Sequence, residues 1–299
     1  MKIVMNLVKR NVKLFFRDKG MFLSSMITPI ILIVLFVTFL GNVYRDSINS
    51  VLGDFKLDDK LIEGFVGGWL FSSLLAVSCV TVAFCSNLIM IQDKYLGVIA
   101  DFTISPVKKS KLAISYFISS AIITLIICYT ALIIAFIYLG IVGFYLSFVD
   151  IILIILDVLL LALFGTALSS IINYFLSTQG QLSAVSALIS SCYGFICGAY
   201  MPMSQFSKGL RNILSILPSS YGTTLLHSHF MDGPFEEMRN QGIPDEVIDE
   251  ITTVFDGKLQ IYDNTIDNSV CMIMLIATVV ILIVIFVLMN VLSKKKIKK

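Results

Sequence analysis

The sequence predicts an all-α integral membrane protein. Six transmembrane helices are expected, with an amphipathic helix at the membrane surface before them. A short helix is expected between spans two and three, and amphipathic helices between spans five and six. Three observations predict this. Hydrophobic residues make up 57% of the 299 residues and charged residues 14%, with a mean hydropathy of +0.92, whereas ordinary globular domains carry about 25% charged residues. Of the 22 basic and 20 acidic side chains, only Asp157 falls inside an apolar run; whole stretches empty of charge have hydrocarbon as their solvent. The signs of the remaining charges, sorted by loop, also alternate from one side of the bundle to the other.

The first element is residues 2–17. At 100° per residue, Lys2, Asn6, Lys9, Arg10, Lys13 and Arg17 fall within an arc of about 100°, and Val4, Met5, Val8, Val12, Phe15 and Phe16 lie opposite. A helix with a basic face suits a membrane surface. The apolar run after it is too long for a signal-peptide core and is read as a retained span.

Six runs follow, at 21–44, 64–91, 112–139, 151–175, 181–200 and 269–292. Each reaches the ~20 residues needed to cross ~30 Å of hydrocarbon as a helix. Tyr44 and Trp69 fall near ends of the first two runs, where aromatic residues commonly anchor a span at the interface. Gly140 and Gly143 break the chain between runs three and four into a short turn ending near Asp150.

Orientation follows from Lys and Arg. Residues 1–19, the 92–111 loop (Lys94, Lys108, Lys109 and Lys111 against Asp93 and Asp101) and the Lys294–Lys299 tail are all positive. With six spans they share one side. On the other side, Arg45, Lys56 and Lys60 face five acids, and loop 201–268 carries four basic residues against ten acidic ones. Both termini are therefore expected in the cytoplasm of a multi-pass plasma-membrane protein. The whole chain reads as one transmembrane domain, with 1–19 interfacial, 92–106 a cytoplasmic loop and 201–268 extracellular.

Two segments carry further information. In 92–106, residues 98–104 have the length of a short helix with Ile99, Phe102 and Ile104 as its apolar contacts, and Ser105-Pro106 stops it. Spacing alone leaves open whether this helix meets a partner or its own bundle. After span five, Phe206, Leu210, Ile213, Leu214 and Leu217 keep helical spacing on one face between Pro202 and Pro218. Further on, Ile243-Pro244-Asp245-Glu246 reads as a helix start, followed by the apolar stripe Val247, Ile248, Ile251, Val254 and Phe255, so that 228–268 forms a small outer cap.

On these residues the sequence resembles the ABC-2 type transporter permeases, in their drug, antibiotic and peptide export branch. Gly97 and Ser105-Pro106 match the spacing of the family's coupling loop. Tyr200-Met201-Pro202, Pro218 and Tyr221 match its pattern after span five, with the first aromatic displaced by one residue. Departures stand at Asp93 and Tyr95, where an acidic pair is common, at Val98 in place of threonine, and at His227 in place of arginine. The resemblance implies a cytoplasmic coupling helix, outer re-entrant helices, and two permeases, identical or closely related, working with two ATPase subunits. The coupling residues are then Asp93, Tyr95, Gly97, Ile99, Asp101, Phe102, Ser105 and Pro106, and the re-entrant motif is Pro202, Pro218 and Tyr221. It also implies no cofactor in this chain, with ATP and magnesium on the partner ATPase; the chain carries no GxxxxGK[ST] phosphate loop of its own. It is expected to be a transport subunit and not an enzyme.

The remaining residues fit this frame. Asp157, the intramembrane carboxylate, faces a partner or a wet path, since insertion there costs ~2.5–3.5 kcal/mol; a hydrogen bond to a neighbouring helix is the simpler expectation, a titrating step the sharper one. His227 and His229 lack an evident third ligand for zinc, and the six cysteines, all in apolar runs, read as packing residues. The net charge of +2, without a basic stripe carrying aromatics, argues against nucleic acid. Phe, Met, Ile and Leu along the spans suit a hydrophobic drug, antimicrobial peptide or lipid as cargo, which includes antibiotic resistance. An exporter of ions or lipid-linked glycan, or a non-transporting membrane scaffold or immunity protein, is the alternative.

Overall fold

The computed structural model describes residues 2–53, 55, 57–104, 107–262 and 264–292. In chain order they form α1 (Lys2–Arg17), α2 (Lys19–Leu35), a π-helical turn (Phe36–Leu40), α3 (Gly41–Leu52), α4 (Asp59–Ser86), α5 (Leu88–Tyr95) and α6 (Val98–Ile104). These are followed by α7 (Lys109–Val142), α8 (Phe148–Phe175), α9 (Gln179–Ile196), α10 (Lys208–Ser215), α11 (Pro218–Asn240) and α12 (Asp245–Val254). A two-stranded antiparallel hairpin, β1 (Leu259–Ile261) and β2 (Asn264–Ile266), precedes α13 (Asn268–Leu292).

Among the described residues, five helices are long and apolar enough to cross a membrane: Lys19–Leu52, Asp59–Tyr95, Lys109–Val142, Phe148–Phe175 and Asn268–Asn290. The expected span at 181–200 is a shorter apolar helix, Ser183–Ile196. It stops early because the chain turns at Gly198, whose φ of +77° is open to glycine at little cost. Beyond the turn, the Tyr200 ring folds back over Gly194, where an added Cβ would sit 2.3 Å from it. The helix that carries the first span, by contrast, continues past Tyr44 through the π turn and α3 to Leu52.

Helix α4 is the axis of the bundle. Apart from the half-buried Phe71, it is buried from Phe65 to Ser86, packed by α2, α7, α8 and α11, as a helix apolar all round should be. Small residues permit the approach. At Gly165 of α8 an added Cβ would lie 2.7 Å from the Cys79 carbonyl and 2.9 Å from the Val80 Cα. Near the same end, Asn87 donates to Ser169 (2.5 Å) and Ser170 (3.1 Å), and Ser86 bonds Ser120. Small side chains and interhelical hydrogen bonds are what hold helices together where burial from water cannot.

The two ends of the bundle differ. At the end bearing the basic segments, α1 lies against α7 with Val8, Asn11 and Phe15 buried, and Asn11 donates to Ser119 (3.2 Å). Ile3 and Met5 stay exposed, so α1 has three faces: basic, outer apolar, and one docked on the protein. At the acidic end, α12 and the hairpin cover α3 and α11. Tyr44 and Trp69 are not interface anchors. Trp69 is fully buried and donates its Nε1–H to the Phe255 carbonyl (2.8 Å), and the Tyr44 ring lies against it, tilted by 54°, at 4.3 Å. The acidic loop folds over both rings and takes them out of the boundary. The cysteines are free; Cys192 is exposed and the others are buried.

Candidate functional site

The loop 92–106 begins inside the bundle and ends on its surface. Asp93 is buried and receives three donors: Arg10 Nη1 (2.5 Å), Arg10 Nη2 (3.0 Å) and the Tyr116 hydroxyl (2.5 Å). This fork ties α1, α5 and α7 together, and the hydrogen bond to Asp93 raises the Arg10 pKa further above its ordinary value. The next residue, Lys94, donates Nζ to the carbonyls of Asn173 (3.2 Å), Tyr174 (3.1 Å) and Leu176 (3.2 Å). It caps the C-terminus of α8, where orphan carbonyls and the helix dipole favour a cation.

Beyond this anchor the chain turns outward. Tyr95 and Leu96 are two-thirds exposed, and Gly97, with φ +76°, makes the turn into α6. The helix expected at 98–104 is present. Of its three expected apolar contacts, Ile99 and Phe102 pack on the cluster around Phe15, Met90 and Tyr116, and the Arg10 guanidinium lies 5.6 Å from the Phe102 ring centre. Ile104 does not pack: it is 86% exposed. Asp101 is exposed as well, while Ser105 and Pro106 lie outside the described residues. The segment thus rests on its own bundle through one face and presents Tyr95, Leu96, Asp101 and Ile104 outward.

At the other end, Pro202 is buried and Pro218 opens α11 at its first turn, where a missing N–H costs nothing. The Tyr221 hydroxyl donates back to the Ile216 carbonyl (3.2 Å), closing the link between α10 and α11. The Met203 amide donates to Asp256, and Ser204 donates to the Val254 carbonyl (3.0 Å), fastening 202–205 to the end of α12. Although part of Asp256 is exposed, its carboxyl lies among protein atoms, and burial raises its pKa to about 7 against the pull of the Met203 and Ser204 amides and Arg211.

Asp157 is fully buried and meets His229 of α11, with Nδ1 to Oδ2 at 2.5 Å. The sharp expectation and the plain one therefore share a partner, but it lies on α11, a helix outside the five long apolar ones. Burial works against a proton on His229, yet the bond and charge of Asp157, with Asp232 and Asp150 nearby, raise its pKa above the usual value. His227 points elsewhere, to the Ser73 hydroxyl (2.9 Å), and burial pushes it down to about 3. The two histidines do not converge on one point.

Between α2–α3 and α9 with its 200–205 extension lies an apolar groove of about 860 Å³. Thr28, Ile31, Leu35, Ser190, Phe195 and Tyr200 line it. Tyr44 closes its upper end by donating to the Tyr200 carbonyl (3.3 Å).

Sequence reasoning located Asp93, Asp157 and the two proline positions but missed their partners. In the sequence Arg10 reads as part of a basic face, Lys94 as a topology signal, and His229 as half of a histidine pair short of a third zinc ligand. All three bond across 72 or more residues, and no local pattern marks such pairs. The one usable signal was that a buried charge requires a partner, which narrows Asp157 to the few polar groups at its depth.

A family model for the ABC-2 type transporter matches residues 3–231. That stretch takes in every element from α1 into α11 and leaves the acidic cap and α13 outside it. No curated protein and no solved structure gives a match.

Proposed function

The chain belongs to the ABC-2 type transporter family, and from that premise we propose that it lines half of the path of an ATP-driven exporter for hydrophobic or amphipathic cargo. As a permease component it is the non-catalytic, multi-pass membrane partner of an ABC ATPase. In the proposed assembly two such permeases, identical or closely related, stand side by side over two ATPases, with both termini in the cytoplasm of the cell. ATP and magnesium bind the ATPases.

One observation carries this reading. The segment 93–104 is braced on its inner side by Arg10, Tyr116 and the end of α8, and it turns Tyr95, Leu96, Asp101 and Ile104 outward. A partly apolar, rigidly footed helix on the basic end of the bundle is what an ATPase needs to push on. Ser105 and Pro106 are proposed to share in the ATPase contact, and Gly97 to set the angle of the helix. The groove between α2 and α9 supports apolar cargo, since six of its lining positions offer methyl, aromatic or hydroxyl surface and no charge. Pro202, Pro218 and Tyr221 are proposed to hold the outer gate of that groove.

The test is ATP turnover of the permease reconstituted with its ATPase in lipid. A panel of hydrophobic drugs, cationic peptides, lipids, ions and glycans is applied to it. Stimulation by amphipathic compounds, lost on Ile104→Asp, is the expected outcome. ATP turnover indifferent to the permease and to every compound would leave a scaffold and not a transporter.

A further inference from the structure

A second cavity, of about 530 Å³, opens on the other side of α2 and shares no lining residue with the groove. It is enclosed by α2, α3, α4 and α7. Its floor is apolar, made by Ile33, Phe36, Val66, Leu70, Phe71 and Ile134. Its rim is polar: Arg45 of α3 and Glu63 of α4 form an ion pair there, beside Asn42 and Tyr138. Their side chains are 40% and 43% exposed, so both charges can meet a headgroup. Val34, Ile133 and Ile137, close in sequence to the lining residues Ile33, Ile134 and Tyr138, are exposed and apolar.

The sequence fixes the depth of that rim. Arg45 is the first residue after the run 21–44, and Glu63 is the last before the run 64–91. Two independent run ends that meet in one ion pair mark a membrane boundary, because charge at hydrocarbon depth is costly. The slot below the rim therefore lies at hydrocarbon depth, where an unfilled apolar void forfeits dispersion contacts. Its volume is within the ~300–1,000 Å³ of ligand sites and its lining suits an alkyl chain.

The rim then selects the headgroup. A purely anionic head would meet Glu63, and a purely cationic one Arg45. A zwitterion with phosphate toward Arg45 and ammonium toward Glu63 satisfies both. A primary ammonium donates hydrogen bonds to a carboxylate, whereas a quaternary one has no N–H to donate. We propose that this slot is a lipid site in which one acyl chain of a phosphatidylethanolamine lies against Ile33, Leu70 and Ile134, with its headgroup bridging Arg45 and Glu63. This lipid is a resident of the permease and not its cargo, because its slot is separate from the groove.

Native mass spectrometry of the full chain, released from membranes of equal phosphatidylethanolamine, phosphatidylcholine and phosphatidylglycerol, tests this. The expected result is one retained phosphatidylethanolamine per chain, above the other two lipids. Arg45→Gln with Glu63→Gln should lower that preference about tenfold, the size of one charge-assisted contact. Ile134→Trp, at a half-exposed position that fills the slot from the lipid side, should abolish retention. Equal retention of the three lipids by the unaltered protein, or retention untouched by the paired glutamines, would reduce the site to ordinary annular lipid. If the tryptophan variant misfolds, the glutamine pair decides alone. None of these readouts depends on transport, so the site and the proposed function can fail separately.

Discussion

Removal of the Asp93 carboxylate should loosen the foot of α6 by an amount the contacts specify. Asp93→Ala deletes two Arg10 bonds and one Tyr116 bond. Hydrogen bonds to charged groups are worth about 1.5–3 kcal/mol each when a buried partner is left behind, and breaking a buried ion pair costs about 3–5 kcal/mol. Arg10 keeps 31% of its side-chain surface in solvent and can rehydrate, which places the loss near the low end, at about 3 kcal/mol. Arg10→Met alone should cost at least as much, since it leaves the buried Asp93 carboxylate with the Tyr116 hydroxyl as its remaining donor. The two changes in one chain should show a coupling of about 1–3 kcal/mol. Unfolding in mixed detergent–SDS micelles gives all three free energies, and ATP turnover with the partner ATPase gives the functional consequence. Additive single effects, with coupling below about 0.5 kcal/mol, would refute the clamp as the element that steadies α6. So would full substrate-stimulated turnover in Asp93→Ala.

Three further outcomes follow from the packing and the buried charges. Gly165→Ala should cost about 1–3 kcal/mol, because its methyl meets α4 backbone and not a movable side chain; Gly140→Ala, with nothing within 4 Å, should be neutral or slightly stabilising in the same unfolding assay. His229 titrates above its unfolded value, so its share of stability is complete below about pH 6.5 and is lost as pH rises through the raised pKa; Asp157→Asn should flatten that part of the stability–pH curve, and an unchanged curve would show that the pair does not titrate. Asp256 adds a second, acid-side slope: between its unfolded value of about 3.9 and its folded value of about 7 the folded chain holds a proton that the unfolded chain releases, so stability falls as pH rises through that window, although the Met203 amide itself bonds the ionised carboxylate more strongly. Asp256→Asn should remove this slope from the stability–pH curve measured in the same unfolding assay.

The elements that obey a local rule were legible in the sequence. Charge-free runs located the long helices, an arc of Lys and Arg located α1, and an acidic first turn behind proline located α12. Packing against distant segments was not legible. Trp69 looks like a boundary residue until Phe255, 186 positions away, covers it. The end of α9 depends on Tyr200 folding over Gly194, and the continuity of α2 with α3 depends on a π turn that no residue pattern announces. At the candidate site, composition suggested which residues carry the chemistry, but the pairings Arg10–Asp93 and Asp157–His229 exist only once helices are stacked.

Helix α8 is 28 residues long, about 42 Å of stiff rod, and it is held at two heights by charge. Lys94 grips its last carbonyls at one end, and His229 grips Asp157 two-thirds of the way to the other. A strut pinned in this way cannot slide at one anchorage without loading the second. Any ligand that prefers one axial position of the strut at the α6 side must alter proton affinity at the Asp157–His229 pair, and by reciprocity the converse holds with the same coupling free energy.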